Sequence, residues 1–209
     1  MITQGFSYSL VRETTGNRVG EGPMTRHEIP HDEWQYGDRT AVEVRGTLLR
    51  LTLEFVLAVR QIPGIVRIAM LGSLATAKSR PKDADVLVTI ADDAVLEALA
   101  RASRRFQGRA QGMNSTADVF LADTSGQYLG RICHFRECRP RVRCLARHCG
   151  ARAQLADDLD VVSLAGALIA TPPLVLHPTV IAPVDVPPDV DTLLLAVLRM
   201  APPNAAGHE

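Results

Sequence analysis

Ile65 to Ile90 reads IVRIAMLGSLATAKSRPKDADVLVTI, and its punctuation decides how the rest of the chain is read. An apolar run, Ile65 to Leu71, ends in Gly72-Ser73, and nine residues later Asp83-Ala84-Asp85 opens a second apolar run through Ile90. Short runs rich in Ile, Val and Leu, bounded by glycine and charge, suit buried strands. Side chains alternate faces along a strand, so Asp83 and Asp85 share one side of the sheet and Ala84 points to the other.

Working outward, Val44, Leu48, Leu51, Phe55, Val59 and Ile62 recur at steps of three or four, which predicts an amphipathic helix stopped by Pro63-Gly64. Downstream, Asp92 is placed to cap a helix whose inner face carries Val95, Leu96, Leu99 and Phe106. Ala117 to Asp123 reads as a third strand. The order helix, strand, strand, helix, strand predicts an α+β domain, a small mixed sheet flanked by helices.

The flanks are less regular. Residues 1–40 carry turn signals and no sustained period, and read as an irregular arm. Residues 41–170 form the expected domain, including a Cys- and Arg-rich, loop-rich segment at 128–152. Leu155 to Leu168 suits a strand or a helix. Residues 171–209 are a proline-studded extension in which Val190 to Met200 looks helical.

Two carboxylates on one strand face can share divalent cations. Two such ions roughly 4 Å apart can activate an attacking hydroxyl and neutralise a departing pyrophosphate. Mg²⁺, or Mn²⁺ in its place, suits such oxygen donors. Asp118, at the start of the third strand, is the candidate third acid, as metal ligand or as base for an acceptor hydroxyl, with Asp123 the fallback. Gly72 lets a phosphate approach the backbone, Ser73 offers a hydroxyl, and Lys78 and Lys82, the chain's two lysines, can add charge to the phosphates.

This pattern, apolar-Gly-Ser, nine residues, then Asp-Ala-Asp-Val, resembles the signature of the nucleotidyltransferase superfamily related to DNA polymerase beta, including its small bacterial members. The resemblance covers roughly residues 45 to 123. It implies a small mixed sheet flanked by helices, with Gly72 and Ser73 holding a nucleoside triphosphate, Asp83 and Asp85 binding Mg²⁺, and Asp118 as the third carboxylate. Leu74-Ala75-Thr76-Ala77 stands where small bacterial members commonly have an Arg and a further Gly. No helical acceptor-binding domain of ordinary length is visible after Asp123.

Cys133, Cys138, Cys144 and Cys149 fall within one short segment, flanked by His134 and His148. Four thiolates can hold a structural Zn²⁺, while the bland alternative is small buried apolar residues. Arg131, Arg136, Arg139, Arg141, Arg143, Arg147 and Arg152 are opposed locally by Glu137. That patch suits an RNA or DNA backbone, nucleotide phosphates, or a solvated face paired with acids elsewhere.

Basic and acidic residues balance at 23 each, so the chain as a whole argues neither for nor against a polyanionic partner. The start lacks a cationic, then apolar, secretory pattern, and no apolar run approaches the roughly 20 residues of a membrane span. The expectation is a cytoplasmic protein with no membrane partner. The leading reading is a Mg²⁺-dependent enzyme moving a nucleoside monophosphate from a triphosphate to an acceptor hydroxyl on protein or RNA. Its rivals are a catalytically silent regulator or antitoxin of similar fold, and a zinc-stabilised RNA-binding protein.

Overall fold

A computed structural model describes residues 40–134, 152–156, 159 and 162–201. Its centre is a six-stranded mixed sheet in the order β5-β4-β3-β2-β1-β6. The strands are β1 (Ile65–Leu71), β2 (Asp83–Ile90), β3 (Thr116–Ala122), β4 (Tyr128–Ile132), β5 (Leu155–Ala156) and β6 (Leu174–His177). β2 runs parallel to β3, and the other neighbours are antiparallel. The mixed α+β expectation is met at this level.

The helix expected from the apolar period is α1 (Ala41–Val59), opened by a reciprocal capping box in which Thr40 Oγ1 accepts from the Glu43 amide and Glu43 Oε2 from the Thr40 amide. Leu48, Leu51, Phe55 and Val59 are buried as the period predicts. A second helix, α2 (Leu96–Gln111), stacks Phe106 on Phe55 with ring centroids 5.0 Å apart. Its start differs from expectation. Val95 is the N-cap residue, 69% exposed, and no side chain caps the helix, so Asp92 lies one turn too early to serve.

Alternation along β2 sorts the two faces. Ala84, Val86, Val88 and Ile90 join the main core with residues of α1 and α2. Leu87 instead joins Ala69, Leu71, Ala122 and Ile169 in a smaller cluster on the other face, under α3 (Gly166–Ala170). Asp83 and Asp85 lie in phase with Leu87, on the face away from the two long helices.

Two strands escaped the sequence reading. β4 falls where loop was expected, and β6 comes from the proline-studded region, pairing Leu174 and Val175 with Met70 and Ala69. Near the end of the chain, α4 (Pro188–Val190), a π-helical turn (Asp191–Leu195) and α5 (Ala196–Met200) follow one another, matching the helix expected over Val190 to Met200. The π turn packs on α1. Among the described residues no helix is long and apolar enough to cross a membrane.

One buried charge ties these parts together. Arg45 of α1 is 7% exposed and holds Asp189 of α4 through Nε at 2.5 Å and Nη2 at 3.1 Å. Its Nη1 donates to the Lys78 carbonyl at 3.0 Å, which fixes the loop between β1 and β2.

Candidate active site

Strand register decides which acids meet. Asp85 of β2 pairs with Leu71 of β1 on one side and with Asp118 of β3 on the other, while Asp83 pairs with Thr116. Neighbouring strands lie about 4.8 Å apart and alternate residues on one strand about 7 Å apart. Asp83, Asp85 and Asp118 therefore occupy one small patch at one end of the sheet. Gly72, the residue after Leu71, comes up beside them.

This crowding changes Asp85. Burial first, then the neighbouring Asp83 and Asp118 carboxylates, push its pKa up to about 6. Asp83 is held by the Thr116 hydroxyl, which donates to its Oδ1 at 2.7 Å. Asp118 Oδ1 lies 3.3 Å from His134 Nε2.

Gly72 has φ 68° and ψ −161°, a region that essentially glycine alone occupies. A Cβ built there would sit 2.2 Å from Asp85 Oδ2. The glycine is thus required twice, by its backbone and by the carboxylate packed against it. The 3₁₀ turn Ser73–Ala75 follows, anchored by the fully buried Leu74. Gly72→Ala is expected to cost roughly 1–3 kcal/mol through backbone strain and displacement of Asp85. Chemical denaturation checks this, and an unchanged midpoint would show that turn and carboxylate rearrange freely.

Lys78 and Lys82 are exposed on the loop leading into Asp83. Asp123, the fallback acid, lies five residues along β3 from Asp118, roughly 17 Å away at strand rise. It works as a turn residue instead: its Oδ1 accepts from the Ser125 hydroxyl and the Gln127 amide, which lowers its pKa.

His134 received no role from the sequence, although a signal for it was present. Asp123-Thr124-Ser125-Gly126 is a turn sequence, and a hairpin through it carries the chain back along β3. Phe120 pairs with Arg131, so the residues just past β4 arrive level with Asp118.

Cys138, Cys144 and Cys149 of the expected zinc set lie outside the described residues. Cys133 is buried, and its carbonyl accepts from Arg104 Nε at 3.2 Å. Of the seven arginines, Arg131 and Arg152 are described, and Arg152 donates to the Ala94 carbonyl. The other five, like residues 1–39 of the expected arm, lie outside the described residues.

For a divalent cation, the donor chemistry fits: three carboxylates in one patch, the pKa of one raised by burial and then by its two neighbours, beside a glycine against which that carboxylate packs. Among the described residues, however, no three His, Cys, Asp or Glu side chains are already arranged as a metal-binding group. Comparisons with protein-family models, curated proteins and solved structures returned no match.

Proposed function

We propose that the protein is a Mg²⁺-dependent nucleotidyltransferase, moving a nucleoside monophosphate from a triphosphate to an acceptor hydroxyl. The observation that carries this reading is the register that sets Asp85 against Asp118 and beside Gly72. Asp83, Asp85 and Asp118 would hold the cation, which supplies charge neutralisation at the triphosphate when bound.

The chain's own groups do the rest. Gly72 lets the Asp85 carboxylate pack against the turn, and Ser73 and Lys78 hold a phosphate. The acceptor oxygen attacks the α-phosphorus in line, the bond from that phosphorus to the bridging oxygen breaks, and pyrophosphate leaves. The acceptor's proton passes to Asp118, whose carboxylate is positioned by His134 at 3.3 Å.

A second reading, a nucleotide-binding module without transfer activity, is favoured by the lack of a pre-arranged metal-binding group among the described residues. Incubation with each α-labelled nucleoside triphosphate, Mg²⁺ and cell extract separates the two. Wild type is expected to label an acceptor, and Asp83→Asn or chelation by EDTA to abolish labelling. Nucleotide binding without label would support the module, and label persisting in Asp83→Asn would sink the enzyme reading.

The same protein gives a simpler check. Mg²⁺ with ATP should raise the wild-type melting temperature, because a ligand that binds only the folded state stabilises it by mass action. The rise should be larger with Mg²⁺ than in EDTA.

A further inference from the structure

A cleft of about 540 Å³ opens where the first turn of α1, the loop before β2 and the turn between α2 and β3 meet. That volume falls within the roughly 300–1,000 Å³ of small-ligand sites. Its walls differ in character: Val44 and Met113 are apolar, Asn114 and Ser115 polar, and Arg80 and Lys82 cationic. Neither cation has an ion-pair partner among the described residues. In a chain of zero net charge, such a pair marks a local preference for anions.

Its position relative to the carboxylates is the second observation. Lys82 immediately precedes Asp83, and Ser115 immediately precedes Thr116, whose hydroxyl bonds Asp83. The Lys82 carbonyl and the Thr116 amide are joined at 3.1 Å, so both strands enter the sheet locked together. The loop carrying Arg80 and Lys82 is held on its other side by Arg45 through the Lys78 carbonyl. The cleft and the carboxylate patch thus lie at the same end of the sheet, the cationic cleft on the face that carries α1 and α2 and the acids on the other.

An occupant spanning both passes round the end of the sheet, offering a phosphate to the cations and a hydroxyl to the acids. We propose that this cleft binds a nucleoside phosphate unit that is the acceptor, with its base against Val44 and Met113, its polar edge toward Asn114 and Ser115, and its phosphate on Arg80 and Lys82. An acidic peptide would satisfy the cations but not the apolar wall beside polar edge groups. The acceptor role rests on the proposed transferase reading, whereas the binding itself does not.

The test is therefore a binding measurement in EDTA, by fluorescence anisotropy of a labelled 5′-phosphorylated single-stranded oligoribonucleotide, with nucleoside monophosphates and polyglutamate as competitors. Wild type is expected to bind, and Arg80→Ala/Lys82→Ala to bind at least about tenfold more weakly with a salt dependence shallower by about two charges. Both residues are exposed, so folding should persist, which circular dichroism checks. Ala41→Trp, placed to fill the cleft, should also weaken binding, and Asp85→Asn should bind at least as tightly as wild type.

Competition by monophosphates at comparable concentration would identify a free nucleotide as the occupant; competition by oligonucleotide alone would identify a strand end. Equal binding by all variants, or equal competition by polyglutamate, would overturn the proposal. If binding follows the expected pattern but no transfer is ever detected, the cleft stands and the transferase reading falls.

Discussion

Asp85→Asn is expected to separate activity from stability: transfer falls by about 10³-fold or more, while the metal-free protein becomes more stable near pH 8. The first effect follows from removing a charged oxygen donor at the centre of the patch. The second follows from the raised pKa of Asp85, about 6 against a reference of 3.8. An acid whose pKa is raised on folding binds its proton more tightly in the native state. Its ionisation therefore weakens the fold as pH rises from about 4 through 6, and the penalty is complete above that.

The side chain is only partly buried and shares the patch with two other acids. Allowing for solvent screening, the penalty is on the order of 1–2 kcal/mol. Urea denaturation in EDTA across about pH 4 to 8 measures it. The wild-type curve should fall relative to the Asn variant as pH rises, with the two converging in acid. Parallel curves, or an Asn variant less stable at high pH, would show that the carboxylates are further apart electrostatically than the register implies.

Asp189→Ala is expected to destabilise the protein by about 2–4 kcal/mol, because it strands the Arg45 guanidinium at 7% exposure without its partner. The hydrogen bond from Arg45 lowers the Asp189 pKa. The contribution of the pair is therefore present above the usual carboxylate pKa and is lost as pH falls through the lowered one. A double variant, Arg45→Met with Asp189→Leu, should recover much of the loss, since a packed apolar pair avoids the desolvation that an orphaned charge suffers.

The loop effect distinguishes this pair from a generic prop. Amide exchange across residues 76–82 should accelerate in Asp189→Ala, because the group that donates to the Lys78 carbonyl loses its anchor. A stability change under about 0.5 kcal/mol, of the size seen for exposed pairs, would mean that water enters and satisfies Arg45.

Much of the site's raw material was legible in the chain. The two-residue step of Asp83 and Asp85, the apolar runs that became β1 and β2, and the period of α1 each follow from local geometry, and local geometry is written in consecutive residues. The errors fall where that ceases. Asp92 looked like a cap because its residue type suits one, but the helix begins only at Leu96. β4 and β6 are five and four residues long, too short for a period to stand out, and β6 lies among prolines that signal loop.

Arg45 and Arg80 share a different reason for being missed. Each is placed by groups far along the chain or across a cleft: Arg45 by Asp189 at a separation of 144 residues, and Arg80 by the walls opposite it. No spacing rule connects such positions.

The α+β class, the strand that carries paired acids and the glycine turn that precedes it are written in consecutive residues, since they depend on side-chain alternation and backbone preference over short spans. Folding alone brings Asp118 level with Asp85, packs Asp85 where a Cβ of residue 72 would sit, and sets a cationic cleft at the same end of the sheet as the acids. Those facts depend on register and packing between strands distant in sequence, where a shift of one residue would have turned every carboxylate to the opposite face.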